Sequence, residues 1–234
     1  MPSGLDRAQE GLRGAVEVLA RGGLVAFPTE TVWGIAADAR SAAAVRRLRT
    51  FKGRDASQPI SLIVSGPSAL PALGCDREVR ASALMDAFWP GPLTLVLPCL
   101  GEGLAEGIVN AEGGLGIRCS PHPVALALAV AAEGAGLGPL TATSCNERGA
   151  PPAATREEAR AVCDGGQGAP MVVEIGEDAH GAAVSSVLDL CRETERLLRV
   201  GAVSERQIRD VLVKITGAPT LDGDERLGLR DTDG

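Results

Sequence analysis

The chain has 234 residues, 45% of them apolar and 23% charged, which suits a globular protein with a sizeable buried core. Its formal net charge of −7 excludes a surface built as a whole to coat nucleic acid, so an anionic ligand must be met by a local cluster of Arg and Lys. With three Phe, two Trp and no Tyr, the core has to be built from Ala, Leu, Val and Ile.

In chain order, residues 6–20 place Leu12, Val16, Leu19 and Ala20 on one helical stripe, stopped by Gly22 and Gly23. The first 13 residues lack the basic end and apolar run of a signal peptide. Leu24-Val25-Ala26-Phe27 predicts a short buried strand cut by Pro28, followed by a polar loop, Thr29-Glu30-Thr31. Ser41 is a candidate N-cap for a helix carrying Val45, Leu48 and Phe51 and ended by Gly53. A strand follows at 60–64 and a helix at 77–88; Pro90-Gly91-Pro92 then turns the chain into a strand at 93–97.

Further strands are expected at 115–118, 140–144, 171–175, 187–190 and 197–200, and helices at 124–132 and 156–163. The 124–132 run is the most apolar, yet about half the roughly 18 residues of a membrane span; a cytoplasmic protein without a membrane segment is expected. Ser204 and Gln207 form a capping box for a last helix ending near Lys214. The Gly- and Asp-rich residues 217–234 predict a loose tail. Several strands follow one another with no room for a crossover helix, and no linker or repeat divides the chain. The expectation is one α/β domain over 1–216, a twisted mixed parallel/antiparallel sheet with flanking helices.

Six scattered cysteines (75, 99, 119, 145, 163 and 191) show no C-x-x-C pair and read as buried thiols rather than a disulfide framework. Cys119 and His122 have ligand-like spacing, but prolines flank the His and only one other His exists, so no metal site is expected.

There is no Walker G-x-x-x-x-G-K-[ST] and no G-x-G-x-x-G between a strand and a helix. A bound nucleotide would therefore be held by charged side chains and other loops. Phe27-Pro28-Thr29-Glu30-Thr31-Val32-Trp33-Gly34 ends a strand and puts polar side chains beyond the sheet edge, where α/β proteins commonly bind ligands; a capped turn gives the same letters. Lys52-Gly53-Arg54 can neutralise a polyphosphate or merely complement a helix dipole. Arg118 closes a strand as a carboxylate clamp would, or as a surface Arg would. Thr141-Ala142-Thr143-Ser144-Cys145-Asn146 ends a strand in hydroxyls and an amide. Ser185, Ser186 and Arg199 add two hydroxyls and a cation.

The order of these pieces carries more than any one of them. Residues 23–64 read G-L-V-A-F-P-T-E-T-V-W-G-I-A-A-D-A…K-G-R…Q-P-I, followed by F-W-P-G-P-L-T-L-V-L (88–97), G-I-R before P-H-P (116–118), T-S-C-N-x-x-G-x-P (143–151), S-S-V-L-D (185–189) and L-R-V-G-A-V-S (198–204). This series, over roughly residues 10–214, closely resembles the YrdC-like family of threonylcarbamoyl-AMP synthases. The resemblance implies a basic central cleft in the sheet and formation of threonylcarbamoyl-AMP and pyrophosphate from L-threonine, bicarbonate and ATP, for tRNA threonylcarbamoyladenosine modification. It implies that Thr31, Arg118 and Ser185 touch L-threonine. Lys52 and Arg54 would meet the ATP phosphates as the catalytic cations, with Gln58, Ser144, Asn146 and Arg199 completing the nucleotide site. Mg²⁺ would come with ATP, and tRNA-modifying transferase proteins would act downstream. Competing readings are a paralogue with another carbamoyl or adenylyl substrate and a double-stranded-RNA-binding module making its RNA contact through the same concavity.

The chain departs from the family pattern at Trp33, Gln58, Ile63, Gly114, Cys145, Arg148 and Val200. Ile63 and Gly114 would each remove a polar contact, to threonine and to ATP respectively, and Arg148 would add a cation beside the nucleotide loop.

Overall fold

The computed structural model describes residues 4–53, 59–165, 168–179, 181 and 183–217. The expectations for Arg54, Gln58 and the tail after Gly217 fall outside these residues.

The first helix, α1 (Gly4–Ala20), leads through Gly22 and Gly23 into β1 (Val25–Phe27). After the polar loop comes β2 (Gly34–Ala36), a strand the sequence reading did not anticipate because three small or apolar residues carry no readable period. The next helix, α2 (Ala42–Lys52), is bounded as its letters dictate. Ser41 accepts from the Ala44 N–H at the start, and Gly53 sits at φ 56° at the end, where its N–H reaches the Arg49 and Thr50 carbonyls. Then follow β3 (Ser61–Ile63), two unanticipated 3₁₀ turns at Pro67–Ala69 and Pro71–Leu73, α3 (Val79–Phe88), β4 (Leu93–Pro98) and β5 (Gly114–Arg118).

The second half holds α4 (Pro123–Gly134), β6 (Leu140–Ser144), α5 (Arg156–Cys163), β7 (Met171–Val172), β8 (Ser186–Asp189), β9 (Arg196–Arg199) and α6 (Glu205–Thr216). The expected capping box at Ser204 and Gln207 is formed, and Thr155 with Glu158 makes a second one on α5. The strand expected at 171–175 shortens to two residues. Val173 still donates to Ala26 at 2.9 Å, but the chain then turns at Gly176, whose φ is 73°.

The strands form one sheet in the order β7-β1-β2-β6-β3-β5-β4-β8-β9. Three neighbouring pairs run parallel, β1/β7, β3/β5 and β4/β8; the other five are antiparallel. This is the mixed sheet expected from strands too close in sequence for crossovers. Successive strand residues go to opposite sides of the sheet. Val25 and Phe27 pack with α1 and α4 through Leu19, Val124 and Leu128. Leu24 and Ala26 join the larger cluster that includes Leu48, Leu84, Ile208 and Leu212 of α2, α3 and α6. The aromatic-poor core is aliphatic as expected, with Trp33 and Phe27 fully buried in it.

A fully buried carboxylate ties α3 to the β8–β9 turn. Arg80 Nη1 lies 3.1 Å from Glu195 Oε1 and donates to the Glu193 carbonyl at 2.7 Å, while Nη2 donates to Glu78 at 2.9 Å. Among the described residues no helix is long and apolar enough to cross a membrane.

The cysteine expectation needs correction. Cys75 and Cys99 form a disulfide, brought to a Cα–Cα distance of 4.1 Å because the two residues face each other as an isolated antiparallel bridge. Their 24-residue separation hides this pairing from a sequence reading. Cys119, Cys145 and Cys163 are buried thiols, and Cys191 is half-buried, its thiol pushed up to about 12 by burial first and then by Asp189. Closing a loop of 24 residues stabilises the fold by about 3.5 kcal/mol in the chain-entropy treatment. Reduction, or Cys99→Ser, is expected to lower Tm by about 7–14 °C, measured by calorimetry with and without dithiothreitol; an unmoved Tm would contradict it.

Candidate functional site

Residues far apart in sequence converge on one cleft of about 360 Å³. Its polar lining comes from the loop after β1 (Thr29 and Thr31), from β3 (Ser61), β4 (Thr94), β5 (Arg118), β6 (Thr143 and Ser144), from the residue before β8 (Ser185) and from β9 (Arg199). Strands β6, β3, β5, β4, β8 and β9 are successive neighbours in the sheet, so each strand end delivers a side chain to the same space. Of the expected site residues, Thr31, Arg118, Ser144, Ser185 and Arg199 line this cleft together.

Thr31 is 1% exposed, and Pro28 explains how it is held. The ring ends β1, and the loop then closes on itself: Thr29 Oγ1 donates to the Val32 carbonyl at 2.7 Å and lies 2.9 Å from Thr31 Oγ1. Arg118, the last residue of β5, reaches across to this loop. Its Nη2 donates to Thr31 Oγ1 at 2.8 Å and pairs with Glu30 Oε1 at 2.7 Å. Ser120 Oγ donates to the other Glu30 oxygen. Arg118 Nε is buried without a hydrogen-bond partner among the described residues.

Ser185 sits at the opposite wall. Its Oγ is 3.0 Å from Thr94 Oγ1 and accepts from Arg199 Nη2 at 3.0 Å, while Arg199 Nε donates to the Ser185 carbonyl at 2.9 Å. Gly201 makes this approach feasible: a Cβ there would stand 2.2 Å from the Val184 carbonyl oxygen.

Lys52, expected to meet the ATP phosphates, is 4% exposed and contacts the loop that follows β6. Its Nζ donates to the carbonyls of Ser144 (2.9 Å) and Asn146 (2.5 Å) and to Asn146 Oδ1 (2.5 Å). The end of α2 is thereby bound to the Ser144-Cys145-Asn146 loop. Asn146 Oδ1 also accepts from Ser144 Oγ at 2.8 Å, and its Nδ2 donates to the Ala150 carbonyl at 2.6 Å. Asn146 is therefore an organiser of the loop, and Ser144 is the member that reaches the cleft. Cys145 points away, fully buried with its Sγ 3.9 Å from that of Cys163; that contact and burial push its thiol well above the usual range.

The sequence reading missed Thr94 and Ser61, and placed Thr29 and Glu30 beyond the sheet edge without giving either a role. Thr94 was signalled by a lone hydroxyl within an otherwise apolar strand. Glu30 stood inside a segment already singled out, but nothing in the letters shows that its partner lies 88 residues away, in Arg118. The departures from the family pattern also acquire places. Ile63 is 3% exposed in the aliphatic core, so it is a packing residue. At Gly114 a Cβ would stand 2.8–2.9 Å from Asn110, Cys191 and Val96, which leaves no room for the hydroxyl side chain of the family pattern. Arg148 Nη1 donates to the Gly53 carbonyl at 3.1 Å, tying the second loop to the α2 terminus. His122 Nδ1 accepts from the Val124 N–H and caps α4, while Cys119 Sγ reaches the Ser65 carbonyl at 3.6 Å; their spacing serves local structure.

A cleft at the ends of a mixed sheet, walled by hydroxyls and two arginines, is the kind of place where α/β proteins take up small ligands. The chain belongs to the family whose model is described as Telomere recombination (Sua5, YciO and YrdC), which matches residues 17–201. It is 33% identical over 207 residues to a putative threonylcarbamoyl-AMP synthase of Mycobacterium tuberculosis, covering 88% of this chain and 91% of that one. It is 34% identical to the Bacillus subtilis threonylcarbamoyl-AMP synthase over 198 residues, 85% of this chain and 55% of that protein. The crystal structure of Pyrococcus abyssi Sua5 complexed with L-threonine superposes with a TM-score of 0.77 at 31% identity, over 90% of this chain and 58% of that chain. The chain thus spans a little over half the length of the B. subtilis and P. abyssi proteins.

Proposed function

We propose that this protein is an L-threonylcarbamoyladenylate synthase, a nucleotidyltransferase that supplies the activated intermediate for tRNA threonylcarbamoyladenosine. The observation that carries the reading is the convergence of Thr31, Arg118, Ser144, Ser185 and Arg199 on one cleft, in a chain about one-third identical to named synthases over most of its length.

The amine of L-threonine and bicarbonate condense to a carbamate with loss of water. A carbamate oxygen then attacks the α-phosphorus of ATP, the bond to the β-phosphate bridging oxygen breaks, and pyrophosphate leaves. Arg118 holds the threonine carboxylate, with Thr31 and Ser185 at its polar atoms; these hydroxyls are already fixed by Thr29, Thr94 and Arg199, so little ordering remains for binding. Ser144 and Arg199 meet the nucleotide, and Lys52 holds the Ser144–Asn146 loop against it while contributing positive potential. Charge develops on phosphate oxygens, where fixed cations and dipoles act without a protein nucleophile. Mg²⁺ arrives with ATP and is held mainly by its phosphates.

The test is pyrophosphate release from ATP and bicarbonate, with L-threonine, with other amino acids and with none. Threonine-dependent release is expected. Release that another amine supports better, or none with any, would discard the reading.

A further inference from the structure

Glu30 is the one acidic side chain in contact with the proposed threonine-binding residues among those described, and no role follows for it from the reaction chemistry. An isolated carboxylate beside a carboxylate-binding arginine should weaken that arginine's grip, so its presence needs a reason. The geometry supplies one. Glu30 is 17% exposed at its side chain and Arg118 11%, so their interaction is only lightly screened by water. One Glu30 oxygen pairs with Arg118 Nη2 at 2.7 Å and the other accepts from Ser120 Oγ. Ser120, 1% exposed, in turn accepts from the His122 N–H at 3.2 Å, at the N-cap of α4. A chain of polar contacts, two hydrogen bonds followed by an ion pair, therefore runs from the start of a rigid helix to the arginine in the cleft.

The pairing also decides which face of Arg118 remains for a ligand. Nη2 is engaged by Glu30 and by Thr31 Oγ1. Nε is buried without a hydrogen-bond partner among the described residues. A guanidinium held at one nitrogen by two partners is restrained in rotation, which favours one orientation of its remaining N–H groups toward an incoming carboxylate. We propose that Glu30 is a positioning residue that sets the affinity and selectivity of the site for an amino acid carboxylate by orienting Arg118. This rests on the synthase reading and on Arg118 as the carboxylate clamp.

The experiment compares the full chain with Glu30→Gln, which preserves shape and a single acceptor for Ser120, and with Ser120→Ala, which removes the outer anchor only. Pyrophosphate release is measured against L-threonine at saturating ATP and against ATP at saturating L-threonine, and L-threonine binding is measured by calorimetry. For Glu30→Gln the KM and Kd for L-threonine should rise about tenfold, with kcat and the KM for ATP within about twofold. Ser120→Ala should move the same constants in the same direction by about threefold, and it carries the test if Glu30→Gln does not fold. An unchanged threonine KM in an active protein overturns the inference alone. A lower KM would mean that Glu30 competes with substrate for Arg118, which also overturns it. Equal losses in the threonine and ATP constants would mark a merely structural role. If the unsubstituted chain neither binds L-threonine nor releases pyrophosphate in its presence, the synthase reading falls and this inference with it.

Discussion

Arg118→Ala is expected to lower kcat/KM for L-threonine by about a thousandfold, which corresponds to about 4 kcal/mol of lost transition-state stabilisation. Two effects add. The substrate carboxylate loses a charged, planar donor fork in a site where water does not replace it. Glu30 also loses its ion-pair partner and is held only by Ser120, so the cleft loses the cation that balances this carboxyl group. The second effect separates the alanine variant from Arg118→Gln in stability. Removing one member of a buried pair costs about 3–5 kcal/mol, and a glutamine that still donates to Glu30 should recover part of it. Arg118→Lys keeps the charge but not the fork, and an intermediate loss of about tenfold to a hundredfold is expected. Steady-state kinetics at saturating ATP, with thermal melts of all three variants, read both quantities. Wild-type threonine dependence in Arg118→Ala would remove the carboxylate assignment.

Most of the fold was legible because its elements announce their ends. Pro28 stops β1, Ser41 and Gly53 bound α2, and Ser204 with Gln207 opens α6, each through a local conformational rule that tertiary contacts do not override. The elements that escaped lack such marks. β2 has three residues and is held by backbone bonds to β1 and β6, partners the letters cannot name. The 75–99 disulfide escaped for the same reason, since it depends on a bridge between distant segments. In the site, membership was legible and orientation was not. Thr31, Arg118, Ser185 and Arg199 stand at strand ends or beside them, and strand ends of one sheet meet. Whether a long side chain turns into the cleft or behind it is settled by partners elsewhere in the chain. Arg118 turns toward Glu30 and Thr31; Lys52 turns under Ser144 and Asn146. Among the described lining residues, Arg118 is paired with Glu30, and Arg199 is the other cation.

Lys52→Met is expected to reduce turnover by at least about a hundredfold and also to lower stability by about 2–4 kcal/mol, a pairing that an exposed phosphate-binding lysine would not produce. The ammonium serves three acceptors at 2.5–2.9 Å on Ser144 and Asn146, and methionine fills the same volume without a donor. Two half-buried carbonyls then lose a charge-assisted bond, and Asn146 Oδ1 keeps its bond from Ser144. The loop loses its tie to the end of α2 just where Ser144 reaches the cleft, so the KM for ATP should rise while that for L-threonine stays within about threefold, because Thr31, Arg118 and Ser185 lie on other segments of the chain. The stability loss corresponds to a Tm lowered by about 4–16 °C for a domain of this size. Asn146→Ala offers a check on the route: it removes one of the three acceptors and the loop's own Ser144 bond but leaves the cation in place, so it should reproduce the ATP defect in milder form. A Lys52→Met protein that melts lower yet keeps its ATP constants would make Lys52 a staple alone. The nucleotide assignment would then rest on Ser144 and Arg199.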